Sequence, residues 1–306
     1  MRAIDLFAGA GGFSTGATMA GVQVVWAANH WPLAVEYHAV NHPSTTHLCQ
    51  DLHQANWANV PGHDILLASP CCQGHSPARG KAHGNPQHDA SRSTAWAVVS
   101  AAEHHKPAAA VIENVPEFLE WALYPAWSMA MEALGYKLSP HIVDAADHGV
   151  PQHRERLFIV ATRSQAPLQL NLERRDHISA ASFIDFNAGR WSEINKPGRS
   201  PRTLARVAAG RAAHGERFLA PYYGSGSGAT GRCLQRPIGT ITTKDRWSLI
   251  DGKRMRMLTV QECRAAMGFP TNYQLPPQHH KAVHLLGNAV CPPVARDVIR
   301  ALTEQI

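Results

Sequence analysis

The chain of 306 residues contains no apolar stretch approaching the roughly 20 residues that cross a bilayer, which argues against a membrane-spanning helix and for a soluble protein. Its first residues, MRAIDLFAGAGG, carry too short an apolar segment for a signal peptide and run straight into what reads as a core strand. That favours a cytoplasmic protein. The six cysteines, Cys49, Cys71, Cys72, Cys233, Cys263 and Cys291, lack any repeated metal-ligand spacing, so neither a structural metal nor a disulfide framework is expected. The 19 histidines are scattered and form no cluster spacing. No internal repeat is evident, which excludes solenoid and propeller arrays. Charged residues make up only 17% of the chain, yet the balance is +6. A polyanionic partner is favoured, although many basic proteins of this size never touch nucleic acid.

What is present is an alternation of short apolar runs with helical stretches: AIDLF, VQVVWAAN, DILLAS, AAAVIENV and, after a longer interval, RLFIVAT. This pattern predicts an α/β sheet. Glycine or proline follows several of the runs, placing the informative residues at the carboxyl ends of strands, where doubly wound sheets bind ligands. From about Ser164 the alternation gives way to a segment holding Arg174, Arg175, Arg190, Arg199, Arg202, Arg206, Arg211 and Arg217, aromatic residues and the tract YYGSGSGATG. Regularity resumes near Met257, where TVQECRAAMGF and AVCPPVARDVIRAL read as helices returning to the first domain. The expected division is residues 1–163 plus 256–306 as one domain and 164–255 as a smaller second one.

DLFAGAGGFSTG, Asp5 to Gly16, follows a strand and precedes a helix, so its glycines would let a ligand approach backbone N–H groups at a helix start. Taken alone, the turn also fits a plain strand-to-helix connection or a dinucleotide site. Three further segments follow at intervals, and GNAV at 287–290 completes the set: SPCCQGHS at 69–76, ENV at 113–115 and QHRER at 152–156. In that order the motifs resemble the C5-cytosine DNA methyltransferase family, across nearly the whole chain outside the second lobe. The resemblance implies a Rossmann-like, S-adenosylmethionine-dependent methyltransferase domain with a smaller target-recognition domain. It also implies double-stranded DNA as substrate, a monomer, and a restriction enzyme as a companion in some settings. The segment LQRPIGTITTKDRWSLI, Leu234 to Ile250, resembles the element that supports target recognition.

By the same resemblance, S-adenosylmethionine is held by Phe7, Ala8, Gly9, Gly11 and Gly12, by Asn29, His30 and Trp31, by Asp51 and Leu52, and by Pro70, Asn288 and Val290. Phe7 would lie against the cofactor and Asp51 would bind the adenine amino group. Asn29 departs from the family, which usually has a Glu there for the ribose hydroxyls.

The chemistry requires a cysteine, because carbon 5 of cytosine becomes nucleophilic only after a thiolate adds at carbon 6 of a base flipped from the helix. Cys72 takes that role when the register is counted back from Gln73 and Ser76, whereas counting forward from Pro70 would select Cys71. Glu113 would meet ring N3 and the exocyclic amine, Arg156 would meet O2, and Arg154 would hold the loop or the thiolate. Gln73, Ser76, Asn114, Val115, Gln152 and Thr242 are expected on the substrate side. A tRNA-methylating branch of the fold and a non-catalytic DNA-binding homologue are the alternatives. The chain lacks the CFT tripeptide of the former, and it retains the Cys72, Glu113 and Arg156 that the latter would have lost.

Overall fold

Strands β4 (Ile65–Ala68) and β5 (Ala109–Asn114) are buried at every position, as expected of central strands covered on both faces. Their continuous apolar runs dictate this, since a strand exposed on one face would alternate. The computed structural model describes residues 1–70, 94–222 and 230–306. It divides into two compact units, the first comprising Met1–Asp144, Glu155–Glu173 and Ala289–Ile306 and the second Ala145–Arg154 and Arg174–Asn288.

The first unit is built on a seven-stranded sheet in the order β3-β2-β1-β4-β5-β7-β6. Here β1 is Arg2–Leu6, β2 Gln23–Asn29, β3 Thr46–Cys49, β6 Lys137–Asp144 and β7 Glu155–Thr162. The β1–β2, β2–β3, β1–β4 and β4–β5 pairs are parallel, while β7 runs antiparallel to both β5 and β6. Strand order reverses between β1 and β4, so the carboxyl ends of these strands flank the crevice where such sheets bind ligands. The unit's helices are α1 (Gly12–Met19), α2 (Pro32–Asn41), α3 (Ala95–His105), α4 (Tyr124–Ala133) and a C-terminal helix, Pro292–Thr303.

Large aromatic side chains fill the core with their polar ends satisfied: Trp127 Nε1 donates to Ala95 O at 3.0 Å and Tyr136 Oη to Pro107 O at 2.9 Å. The C-terminal helix buries Val294, Val298, Ile299 and Leu302, each worth about 1.5–3 kcal/mol of apolar burial. It lies so close to α1 that a Cβ on Gly16 would sit 2.4 Å from that of Ala295.

All five apolar runs read from the sequence are strands, and two further strands join them. Both lie at edges of the sheet, where half-exposed residues and, in β6, Pro140 blur the pattern.

The second unit carries an antiparallel sheet of order β10-β9-β11-β12-β8, formed by β8 (Ser192–Glu193), β9 (Arg217–Pro221), β10 (Arg232–Cys233), β11 (Trp247–Asp251) and β12 (Arg254–Met257). Helix α5 (Pro201–His214) packs on β9, with Gly210 leaving room for the Phe218 ring. Ile194, Val207, Phe218, Ala220, Ile250 and Met255 form the core.

The compact units divide differently from the sequence expectation. Helices α6 (Val260–Ala266) and α7 (His279–Asn288) group with the second unit, as do residues 145–154, and only the chain from Ala289 onward returns to the first. A buried charge network is the reason for α6. Glu262 accepts from both Arg256 Nη atoms at 2.6 and 2.7 Å and from Asp185 N at 3.0 Å, so breaking it would strand a charge in the core.

Candidate active site

At the end of β1 the backbone enters a left-handed sequence: Phe7 (φ 61°), Gly9 (φ 53°) and Gly11 (φ 76°), the last serving as N-cap of α1. Positive φ costs a non-glycine residue, so the half-buried Phe7 is held there by its surroundings. Gly11 N donates to Ala8 O at 2.8 Å, and Thr15 Oγ1 donates to Gly11 O at 2.7 Å. Beneath the turn, Asp5 is fully buried and its Oδ2 accepts from Ser14 Oγ at 2.6 Å and Ser14 N at 3.2 Å. Burial pushes the Asp5 carboxyl up to about 7 against these two hydrogen bonds, which pull it down. A Cβ on Gly12 would lie 2.0 Å from Val290 O, so this glycine is required for the GNAV segment to pass against the turn.

The neighbouring strand ends supply the other expected cofactor groups. Asn29 Oδ1 accepts from Trp31 N at 2.9 Å, an Asx turn just ahead of α2 that holds the exposed His30 and half-buried Trp31. After β3, the exposed Asp51 accepts from His53 N through Oδ1, with Leu52 buried beside it. Pro70 follows β4. The amide nitrogen of Asn29 and the second carboxylate oxygen of Asp51 carry no bond among the described residues. An amide and a carboxylate thus stand past the carboxyl ends of the consecutive parallel strands β2 and β3, with the positive-φ glycines Gly9 and Gly11 past the end of β1. This donor set fits S-adenosylmethionine.

The residues expected on the reacting side gather around the end of β5. Glu113 is 7% exposed, and Arg156, at the start of β7, approaches it with Nε 3.3 Å from Oε1. Arg156 also donates to Glu155 O at 2.7 Å. Asn114, buried, accepts from Val115 N through Oδ1 and donates through Nδ2 to Pro70 O at 3.2 Å. The ENV segment therefore anchors the point where the SPCCQGHS segment begins. Cys72, Gln73 and Ser76 lie outside the described residues, as does Cys71.

In the second unit Gln152 and Arg154 are both buried and bonded within the fold. Gln152, expected to face substrate, is fully buried with both ends of its amide engaged: Nε2 donates to Ala266 O at 2.9 Å and Met267 Sδ at 3.0 Å, and Oε1 accepts from Ile241 N at 2.7 Å. Its geometry is that of a brace. Arg154, expected to hold the loop or the thiolate, is 3% exposed and donates to Ile241 O and Gly287 O at 3.0 and 2.9 Å. Together they fix residues 238–242 and the end of α7. Thr242 Oγ1 donates to Lys244 O, and Gly287 packs so tightly on residues 242–243 that a Cβ there would meet Thr242 C at 2.2 Å. Asn288 is exposed at the last position of α7.

The arginine-rich lobe is also less free than its composition suggests. Arg174 pairs with Asp147, Arg217 with Asp251, and Arg211 with Glu216. Arg175, Arg199 and Arg206 donate to backbone carbonyls. Among the eight arginines singled out in the sequence, Arg190 and Arg202 carry no such bond among the described residues.

Residues 1–304 match the family model for C-5 cytosine-specific DNA methylase. The chain belongs to this family. The C5-cytosine methylases use S-adenosylmethionine as methyl donor and act on carbon 5 of cytosine in DNA. Type II methyltransferase M.HhaI of Haemophilus parahaemolyticus is 28% identical, with 95% of this chain and 90% of that protein covered. Type II methyltransferase M.NlaX of Neisseria lactamica is likewise 28% identical, over 100% of this chain and 96% of its own length. A DNMT2 structure from Spodoptera frugiperda aligns over 99% of both chains with a TM-score of 0.71, and at 17% identity this likeness concerns the fold alone. No helix among the described residues is long and apolar enough to cross a membrane.

Proposed function

We propose that this C5-cytosine methylase is an active DNA (cytosine-5-)-methyltransferase whose substrate is a cytosine flipped out of duplex DNA. The observation that carries this reading is the pairing of Glu113 with Arg156, which puts a carboxyl and a guanidinium together at the end of β5, beside the anchored start of the SPCCQGHS segment.

Cys72 is the nucleophile in this scheme. Its thiolate adds to carbon 6, a C–S bond forms, and the ring electrons shift toward carbon 5, N3 and O2. Glu113 engages N3 and the exocyclic amine, while Arg156 engages O2, so charge developing on the ring meets fixed partners. S-adenosylmethionine, when bound, supplies the electrophilic methyl group. Loss of the carbon 5 proton to a base then expels the Cys72 thiolate and restores aromaticity. The Phe7–Gly12 turn, Asn29–Trp31 and Asp51–Leu52, with Val290 and Asn288, hold the donor. Asn114 and Pro70 position the nucleophile's segment, while Gln152 and Arg154 brace the stretch bearing Thr242.

The second unit supplies DNA recognition, with the uncommitted Arg190 and Arg202 as the first candidates for phosphate contact. A monomer acting in the cytoplasm accords with this scheme. The Type II names of the relatives support a restriction-modification setting.

Incubation with methyl-labelled S-adenosylmethionine and duplex DNA of varied sequence is expected to yield labelled 5-methylcytosine after nucleoside digestion. Label confined to RNA, or to the exocyclic nitrogen, would overturn the substrate or the reaction.

A further inference from the structure

A cavity of about 540 Å³ opens within the second unit, and it includes Arg190, one of the arginines proposed above for phosphate contact. Arg190 and Arg264 line it together with His279, and Leu275, Pro276 and Pro277 supply an apolar wall. Its basic groups hold donors in reserve. Arg190 is exposed and makes no ion pair or hydrogen bond among the described residues. Arg264 uses Nη1 on Tyr273 O at 3.3 Å, but its Nε is buried with no partner among them. His279 Nε2 lies 2.8 Å from Asp245 Oδ2, an arrangement that favours the imidazolium. The nearby carboxylate of Glu262 is already taken up by Arg256. Among the described residues no acid pairs with either guanidinium, and a buried donor left unmade is costly enough to favour a ligand that fills it.

We propose that this cavity is a nucleotide pocket, in which Arg190 and Arg264 grip a phosphate and the proline-leucine wall receives the flat face of a base. Guanidinium forks match phosphate oxygens in pairs, and the volume falls in the range of small-ligand sites, larger than a bare phosphate needs. The nucleotide comes either from the DNA strand held by the second unit or from a free mononucleotide. The former rests on the DNA-methylating function proposed above.

The test uses the full chain and two arms. In one, deoxynucleoside 5′-monophosphates and inorganic phosphate are titrated calorimetrically. In the other, duplex DNA binding is followed across a salt series. Arg190→Glu and Arg264→Met are each expected to weaken DNA binding and to lower the salt slope by about one, the contribution of one phosphate contact. Arg264→Lys, which keeps the charge and loses the fork, should recover part of the affinity. Urea unfolding of each variant beside the wild type reports that it is folded. Mononucleotide binding that both variants abolish, with an unchanged DNA salt slope, assigns the pocket to a free nucleotide. An unchanged slope with no mononucleotide binding overturns the proposal, even if the wild type methylates DNA normally. A wild type that binds no DNA would instead sink the proposed function, leaving the mononucleotide arm to judge the pocket.

Discussion

Arg156 Nε stands 3.3 Å from Glu113 Oε1, so the start of β7 holds the carboxyl presented by the end of β5. If the pair engages the base only as charge develops on it, replacing either member should slow methyl transfer more than it weakens binding. Glu113→Gln and Arg156→Lys are each expected to lower the single-turnover rate by about 100- to 1,000-fold, the scale seen for loss of one oxyanion donor. Affinity for S-adenosylmethionine should stay within about twofold of wild type, because neither side chain belongs to the donor site. A large loss of donor affinity with an intact rate would place the pair on the cofactor side.

The covalent step discriminates between adjacent thiols. DNA carrying 5-fluorocytosine at the target should trap the enzyme, since fluorine does not leave as the proton does. Cys72→Ala should abolish the trapped species on a denaturing gel, and Cys71→Ala should leave it. The reverse pattern would move the nucleophile one residue back and break the register with Gln73 and Ser76.

Gly12 tests the contact between the first and last motifs. An added methyl group would fall 2.0 Å from Val290 O, a backbone atom with no rotamer to yield. Gly12→Ala is therefore expected to cost about 1–3 kcal/mol or more in urea unfolding, and to weaken donor binding as the turn shifts. Wild-type stability in the variant would mean that the GNAV segment is not packed on the turn.

Central strands and active-site turns were legible in the sequence because each leaves a one-dimensional trace: an apolar run ending in glycine, proline or a charged residue. Strands β3 and β6 left none, since edge strands bury little and Pro140 weakens the signal further. The partners of the arginines were equally hidden. Arg217 reads as one basic residue of an arginine-rich segment, and only the fold brings Asp251, 34 residues away, to 2.8 Å from it. Gln152 reads as a substrate ligand for the same reason, and its brace to Ala266 spans 114 residues. Fixed spacing within a motif advertises that a residue matters. Whether it touches substrate or holds the residue that does depends on contacts made across the fold.

Asn29 offers a test of the donor site where the chain departs from its family. Its Oδ1 already accepts from Trp31 N at 2.9 Å, so the ribose would meet the neutral amide nitrogen rather than a carboxylate. Charge-assisted bonds are about twice as strong as neutral ones. Asn29→Glu is expected to tighten S-adenosylmethionine binding by about 1 kcal/mol, roughly fivefold. Asn29→Asp keeps the side-chain length and the Trp31 cap while adding the charge, and separates the two effects. Calorimetric titration showing unchanged binding in both variants would mean that position 29 does not face the ribose.

Asp5 makes a prediction about pH whose sign runs against the usual behaviour of a carboxylate. Burial raises its folded-state value from 3.8 to about 7, so the native protein keeps a proton that the unfolded chain releases above about pH 4. Stability from this group is fully present below the unfolded value and is lost as pH rises through about 4 to 7, at up to about 1.4 kcal/mol per unit. Buried His38 and half-buried His42 and His63 act in the opposite sense. Their values are depressed by burial, so their contribution is lost as pH falls below 6.5. A single stability curve would mix the two. Asp5→Asn removes the ionisable carboxyl while the histidines stay in both proteins, so the difference between the two curves reports Asp5 together with any change passed through Ser14 Oγ to His38 Nε2, 3.0 Å away. Urea unfolding of both proteins at intervals between about pH 5 and about pH 8 should show the wild type losing ground to the variant up to about pH 7 and holding level beyond it. A gap that stays constant across this range would mean that Asp5 is ionised throughout, held by Ser14 strongly enough to overcome its burial.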